Sequence, residues 1–165
     1  MKIVKGLLII FCVALSLATF GCSKDNVEQK DTKAEKEQTQ QAERPKKGKE
    51  YGFTQPVDFS GLYITCTDAK YLEDEAGHRD SVLKLGFEVQ NNTTTTQIFT
   101  TINMEIKNSK GDKLNIYPGE NMGVKLKPGE KANGFGYFEA DGSAPYTVIY
   151  KDDDSSLSGT WKIKI

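Results

Sequence analysis

The sequence predicts an all-β protein, an antiparallel β-sandwich with Greek-key connections that follows a signal peptide and a disordered tether. Apolar and polar residues alternate in stretches such as residues 83–89 (LKLGFEV), which is the period of a strand with one face in water. Turn sequences rich in glycine and asparagine separate these stretches. No long amphipathic helical pattern lies between them, so strands are expected to pair mainly with their neighbours in an antiparallel sandwich.

The N-terminus has the three parts of a bacterial lipoprotein export signal. Residues 2–5 supply two lysines, residues 6–20 form an apolar core shorter than the roughly 20 residues that span a bilayer, and Gly21 precedes Cys22. The ending resembles the site read by lipoprotein signal peptidase, although Thr19 stands where that pattern usually has leucine. We expect cleavage before Cys22 and a diacylglycerol on its thiol. Ordinary secretion with cleavage nearby and a retained membrane helix are the alternatives.

Residues 22–50, which begin at the cysteine expected to carry the lipid, are predicted to form a disordered linker. It has no aromatic residue and one branched aliphatic side chain, Val27, among lysine, glutamate and glutamine. Such a segment buries too little apolar surface to offset the entropy of ordering. A coil of this length reaches roughly 30 Å, which would hold a folded part clear of the membrane. The basic residues 44–49 are expected to be solvated, and contact with an anionic surface polymer is the alternative.

Residues 51–165 have the length of one domain, and short strands are expected along them. The expected strands are 62–69, 83–89, 98–106, 113–117, 122–126, 135–139, 146–150 and 160–165. Residues 108–112 (NSKGD) predict a hairpin turn, and residues 127–130 (KPGE) a type II turn. Within residues 98–106 the apolar alternation places Ile98 and Ile102 toward the core and leaves Phe99 on the exposed face.

A family resemblance rests on four segments that occur in a set order: 89–92 (VQNN), 106–112 (IKNSKGD), 126–130 (LKPGE) and 134–139 (GFGYFE). Together they resemble the strands and turns of a bacterial domain of unknown function with an immunoglobulin-like, telokin-like sandwich, common in Gram-positive lipoproteins. The resemblance covers about residues 58–151 and implies that fold and a lipid-anchored location. Gly136 stands where that family usually has a bulky residue.

The sequence offers little chemistry, so we expect a protein that is not an enzyme and has no cofactor. His78 is the one histidine, and it lies in a polar loop without a nucleophile motif or metal-ligand spacing. Cys66 lies in a strand-like run and is expected to be a small buried side chain; a reactive thiol is the alternative. Once Lys2 and Lys5 leave with the signal, 20 basic residues stand against 23 acidic ones, which argues against nucleic acid as a partner.

Acidic residues give the only weak metal candidates. Asp152, Asp153 and Asp154 supply oxygens of the kind that calcium binds, but they lack the spacing of an EF-hand loop. Consecutive aspartates are more typical of an exposed turn, and no metal site is predicted from them.

The threonine-rich stretch 92–101 is the candidate interaction surface. Its candidate contact residues are Thr94, Thr96, Phe99 and Thr101. Exposed hydroxyls and an exposed aromatic ring on an edge strand suit a polymer or a protein that binds by strand addition. The alternative is that β-branched residues are present here only because they favour strands.

These observations predict a lipid-anchored binding module at the extracytoplasmic face of a bacterial, Gram-positive cell membrane. The domains would be a signal peptide at 1–21, a linker at 22–50 and the sandwich at 51–165. Its partners would be the membrane, through the lipid, and an envelope protein or surface polymer. The alternatives are an accessory, exclusion or stress factor that acts on a membrane-protein complex, and a calcium-dependent adhesin.

Overall fold

The computed structural model of the chain describes residues 41–152 and 155–165. These residues lie within one compact unit, Gln38–Ile165. Their elements, in chain order, are β1 (Glu50–Tyr51), β2 (Val57–Phe59), β3 (Leu62–Leu72), β4 (Val82–Asn91), β5 (Gln97–Thr100), a 3-10 helix (Thr101–Asn103), β6 (Glu105–Lys107), β7 (Gly123–Leu126), β8 (Lys131–Glu139), β9 (Tyr146–Lys151) and β10 (Ser158–Ile163). Within the described ranges, no helix has the length and apolarity needed to cross a membrane.

The strands form two four-stranded sheets and a two-stranded ribbon. One sheet has the order β2-β3-β4-β8 and the other β1-β10-β9-β6, while β5 pairs with β7. Every pairing is antiparallel except that of β1 with β10. Between β4 and β9 the chain crosses between the sheets three times, from β4 to β6, back to β8 and again to β9, and the ribbon strands β5 and β7 lie within the first two crossings. The predicted antiparallel β-sandwich is therefore confirmed.

Aromatic side chains join the two sheets in a shared core. The Phe59 ring, from β2, meets the Tyr150 ring of β9 edge to face at 4.8 Å and lies 6.3 Å from the Trp161 ring of β10. Strand β4 alternates as expected: its odd-numbered residues from Leu83 to Asn91 are buried. Packing of this kind stabilises each sheet only in the presence of the other, because either inner face alone would expose its apolar side chains.

Two predicted turns have the geometry that their glycines imply. Gly129 has a φ of +81° and the Glu130 N–H donates to the Lys127 carbonyl at 3.0 Å, as a type II turn requires. In the turn over residues 108–112, Gly111 has a φ of +93° and the Asn108 N–H donates to the Asp112 carbonyl at 2.9 Å. Both glycines supply a backbone conformation that a side chain would strain.

The predicted strand 113–117 is wrong, and its backbone makes only isolated bridges. Lys113 bridges to Lys107, while Ile116 bridges to Phe138 of β8. From there the segment follows the outer edge of β8, where the Tyr117 N–H donates to the Tyr137 carbonyl at 2.9 Å. The segment therefore covers a sheet edge instead of extending a hairpin.

The predicted linker extends too far toward the C-terminus, since residues from Glu43 onward pack on the sandwich. The Glu43 backbone bridges to Val57, and the Asp58 N–H donates to the Glu43 carbonyl at 2.9 Å. The Glu43 carboxylate also binds the ammonium groups of Lys46, at 2.6 Å, and Lys49. Part of the basic run thus neutralises a carboxylate of the same segment. The signal peptide and the first part of the predicted linker lie outside the described residues.

Candidate interaction surface

Buried Asn91 organises the threonine-rich loop that leads into β5. Its Nδ2 donates to the Thr95 carbonyl at 2.8 Å and to the Leu126 carbonyl at 2.9 Å. Its Oδ1 accepts from both the N–H and the hydroxyl of Thr93, at 2.9 and 2.7 Å. The Gln97 amide then donates to the Thr95 hydroxyl at 3.1 Å. Two of the four threonines are thus used inside the loop.

Thr94 and Thr96 are exposed, as the sequence predicts, and Thr95 is exposed as well although its hydroxyl is hydrogen-bonded. Of the candidate contact residues, Thr94 and Thr96 are the ones that the structure places at the surface.

The other two candidates, Phe99 and Thr101, are buried, so the prediction that they form a contact surface is wrong. Phe99 is 1% exposed and its ring packs 5.8 Å from Tyr150 and 6.2 Å from Phe87. Ile98 instead is 72% exposed, and Ile102 is 53% exposed. The reason is the 3-10 helix after β5, which interrupts the alternation of inward and outward side chains. Odd-numbered residues face the core before the helix, and even-numbered residues face it afterwards.

Thr101 fills a place in the core beside a glycine. Its hydroxyl donates to the Met122 carbonyl at 3.3 Å, and its Cβ lies 3.0 Å from where a Cβ on Gly136 would stand. A bulky residue at position 136 would therefore meet Thr101. Glycine at position 136 thus has a local physical reason.

Two adjoining hollows lie beside β5, and we call them together the β5 groove. The first, about 340 Å³, is lined by Leu62, Thr96, Gln97, Ile98, Thr100, Asn103, Tyr150, Lys151 and Asp152. The second, about 440 Å³, is lined by Ile102, Asn103, Met104, Glu105, Lys113, Ile149 and Lys151. Asn103 and Lys151 line both, so the two hollows adjoin at these residues. The exposed isoleucines, Ile98 and Ile102, lie one on each.

Strand β5 turns the backbone groups of Ile98 and Thr100 toward this groove. Thr101 N–H donates to the Met122 carbonyl at 2.9 Å, which continues the register of β5 with β7. Hydrogen-bonding direction alternates along an antiparallel ladder, so the N–H and C=O groups of Ile98 and Thr100 point away from β7. Within the described ranges no strand pairs with that edge. The groove is therefore bordered by an open strand edge.

The opposite wall has a similar edge at the end of β9. The Leu114 N–H donates to the Ile106 carbonyl at 2.8 Å, so Ile106 of β6 directs its backbone groups away from β9. Glu105 then forms the hydrogen-bonded pair with Ile149. Lys151 lies two residues beyond Ile149, so its backbone N–H and C=O groups also point toward the β6 side of β9. Strand β6 has no residue opposite Lys151. Two strand edges thus border one groove.

Charged side chains of both signs line the groove: Lys113 and Lys151 with Glu105 and Asp152. Lys125 stands opposite Ile98 in register and is exposed, while Lys151 lines both hollows. Glu105 binds Lys107 at 2.8 Å and Lys151 at 3.9 Å, and the Lys107 hydrogen bond leads the causes that lower the pKa of this carboxyl. The groove therefore carries charges of both signs beside exposed apolar side chains, and Lys125 lies outside it on β7.

The aspartate run enters the described residues only at Asp152, because Asp153 and Asp154 lie outside them. The Asp152 carboxylate accepts hydrogen bonds from the N–H of Ser155, at 3.0 Å, and from its hydroxyl. These bonds hold a turn between β9 and β10. In the described part of the chain, no three His, Cys, Asp or Glu side chains cluster as a metal site.

The remaining candidate residues take structural places or lie outside the described part. Cys22 is among the latter. Cys66 is fully buried, as expected, and burial raises the pKa of its thiol to about 12. In the loop between β3 and β4, hydrogen bonds from the backbone N–H and the ring of His78 lower the pKa of Asp74 to about 2. That pair closes an exposed turn.

The chain matches no protein-family model and no curated protein. Among solved structures it is similar to the yjhA protein from Bacillus subtilis, with a TM-score of 0.54 and 12% identity over 69% of this chain and 99% of that one. It is also similar to ycdA from Bacillus subtilis subsp. subtilis str. 168, named as a candidate lipoprotein, with a TM-score of 0.54 and 17% identity. That alignment covers 66% of this chain but 38% of ycdA. MPT63, a secreted protein from Mycobacterium tuberculosis, aligns at a TM-score of 0.49 with 16% identity over 74% of this chain and 98% of that one. At these identities the likeness to yjhA and ycdA shows a shared fold and nothing further.

Proposed function

We propose that this protein is a non-enzymatic binding module, held at the outer face of a bacterial membrane by a lipid on Cys22, and that it engages its partner through the β5 groove. The lipid would fix the chain to the membrane, the polar residues after Cys22 would give reach, and the sandwich would present the groove. The naming of ycdA as a candidate lipoprotein is consistent with this location.

The observation that carries the proposal is the exposure of Ile98 on an open strand edge. An isoleucine that is 72% exposed adds nothing to the core. Beside unpaired backbone it is a hazard for aggregation, which folded proteins usually avoid by covering or shortening such edges. A partner that covers Ile98 and the neighbouring backbone gives this arrangement a function.

The module is tested by site-specific photocrosslinking in a bacterial host that expresses the full chain. A photoreactive residue at position 98 is expected to crosslink a discrete neighbour, whereas the same residue at position 116 is not. Ile116 is the matched control because it is also an exposed isoleucine, at 40%, and does not line the groove. Equal crosslinking at both positions would contradict the assignment of the groove.

The anchor is tested separately by mass spectrometry of membrane fractions. The wild-type chain should carry a diacylglycerol on Cys22, and Cys22→Ala should remove the adduct and release the protein. An unmodified product that remains soluble in both cases would disprove the anchored location and leave the groove assignment standing.

A further inference from the structure

We infer that residues 43–49, which we call the strap, cover the edge of β2 and open as a unit under tension from the tether while the sandwich stays folded. The source of the tension rests on the proposed function, because it requires the lipid on Cys22. The opening itself is a property of the fold. It follows from how the strap is held, which is mainly through the Glu43 backbone and the Tyr51 hydroxyl.

The grip of the strap on β2 is a single backbone bridge. The Glu43 N–H donates to the Pro56 carbonyl at 3.3 Å, and the Asp58 N–H donates to the Glu43 carbonyl at 2.9 Å. In a parallel ladder every second residue donates to the partner strand, so the next donor after Glu43 would be residue 45. That residue is Pro45, which has no N–H. The sequence therefore limits this edge pairing to two hydrogen bonds.

The ion pairs of the strap lie within it and do not fasten it to the sandwich. The Glu43 carboxylate binds the ammonium groups of Lys46, at 2.6 Å, and Lys49, and the Lys49 N–H donates to the Lys46 carbonyl at 3.1 Å. These contacts can persist when the strap lifts away, so they do not oppose its opening. None of residues 43–49 is buried. A segment with so few buried contacts opens at a lower free energy than the core.

Tyr51 makes the second attachment and determines where the opening ends. Its ring is 1% exposed and lies 6.3 Å from the Trp161 ring, and its backbone pairs with β10. Its hydroxyl accepts from the Lys46 N–H at 3.1 Å and donates to the Arg44 carbonyl at 3.3 Å. Arg44 adds an exposed bond to the Ser60 hydroxyl at 3.3 Å. Once these bonds are broken, further opening has to pull a buried aromatic ring out of the core.

A pull from the tether meets these attachments one after another. Glu43 is the first described residue with a backbone bond to the sandwich, so the chain from Cys22 loads it first. Bonds that are loaded in sequence break at a lower force than a core that resists as a whole. Opening of residues 43–49 releases at most roughly 25 Å of chain, at about 3.3–3.6 Å per residue. The strap would therefore lengthen the tether and relieve the load on the fold that carries the β5 groove.

Hydrogen exchange of full-length protein in mild detergent tests the opening at equilibrium. The Asp58 amide reports on the strap directly, because Glu43 is its acceptor. It should exchange at least a hundredfold faster than the amides of β4. Low concentrations of urea should not change its rate, because a local opening exposes little surface.

A pair of tyrosine variants tests the second attachment. Tyr51→Phe should speed the exchange of the Asp58 amide about tenfold, because it removes two hydrogen bonds of the strap and leaves the ring in place. The matched control is Tyr71→Phe, which removes a hydroxyl bond to Tyr146 and touches no residue of the strap. It should leave the exchange of the Asp58 amide unchanged.

Magnetic tweezers test the response to tension. The full-length Cys22→Ala chain, which cannot carry the lipid, is held by tags at its two ends in the same detergent. A first step at low force should release the length of residues 43–49, and a second step at higher force should unfold the sandwich. Tyr51→Phe should lower the force of the first step and leave that of the second unchanged.

Several results would overturn the inference. These are an Asp58 amide that exchanges as slowly as those of β4, a single rupture in which strap and sandwich yield together, or a first step that extends beyond Tyr51. A diacylglycerol on Cys22 without a first step would leave the anchor standing and disprove the opening. A first step in a protein that carries no lipid in cells would support the opening and disprove its loading by a lipid anchor.

Discussion

Replacing Phe99 by alanine should cost the fold far more than replacing its neighbour Ile98. The Phe99 ring is buried between Phe87 and Tyr150, whereas the Ile98 side chain is 72% exposed. The sequence alternation predicts the reverse order, with Ile98 inside. The pair of variants therefore tests the orientation of β5 directly.

The magnitude follows from the area that the ring removes from water. An aromatic side chain buries about 150–250 Å², which at about 25 cal/mol per Å² corresponds to roughly 4–6 kcal/mol. Alanine retains about 1 kcal/mol of this by its methyl group. We therefore expect Phe99→Ala to lower the free energy of unfolding by about 4 kcal/mol, within the usual range for this truncation. Ile98→Ala should change the same free energy by less than about 0.5 kcal/mol.

The assay is urea unfolding followed by tryptophan fluorescence, since Trp161 lies in the core. With a slope of about 1.5–2 kcal/mol per molar, Phe99→Ala should lower the midpoint by about 2–3 M. The slope itself should not change, because both states would keep their compactness. Similar midpoints for the two variants, or a larger loss for Ile98→Ala, would refute the orientation of β5.

Three further predictions concern the amino-terminal segment, the lone strand cysteine and the glycine beside Thr101. Hydrogen bonds from Lys46 and Lys49 lower the pKa of Glu43 to about 2, so its ionised form stabilises the fold above the ordinary pKa of glutamate. The urea midpoint of wild type should exceed that of Glu43→Gln at pH 7, and the difference should vanish as the pH falls from about 4.5 to 2. Peptide mapping after N-ethylmaleimide treatment at pH 8 should find Cys66 unmodified in native protein and modified in urea; native labelling would contradict its burial. Gly136→Leu should destabilise by about 1–3 kcal/mol in the same unfolding assay, because its Cβ meets Thr101 at 3.0 Å, and an unchanged midpoint would contradict that contact.

The strands that a single sequence predicts well are those whose pattern is local. Strand β4 lies between β3 and β8 with one face in the core, so residues 83–89 carry a strict alternation. Strands β1 and β2 have two and three residues, too few to show any period. These two strands form because Tyr51 and Val57 pair with residues of other strands. Tertiary contact, and not the local sequence pattern, therefore determines them.

Within the threonine-rich segment, the sequence predicts the exposed loop threonines correctly and the two faces of β5 wrongly. Thr94 and Thr96 are exposed, but the apolar side chains with the largest exposure there are Ile98 and Ile102. The missed signal is Thr100, whose hydroxyl accepts from the Ile102 N–H at 3.3 Å and caps the 3-10 helix. In a run of threonines a capping threonine cannot be told from a strand residue, so the change of face stays hidden in the sequence.

The chain covers three of its other sheet edges with its own connecting segments, while the outer edges of β1 and β7, like that of β5, have no strand partner among the described residues. The edge of β2 is covered by the Glu43 backbone, that of β6 is bridged by Lys113, and that of β8 is followed by residues 115–117. The chain thus spends its own connecting segments on these edges, which removes the places where another chain would pair. Among the described elements, β5 keeps an uncovered edge beside two exposed isoleucines. Ile98→Lys should therefore leave the urea midpoint within the range of other surface changes, because a charge at that position does not disturb the core. The same variant should abolish crosslinking of the partner from a photoreactive residue at position 96, which lines the same groove, because a charged side chain removes the apolar contact at position 98.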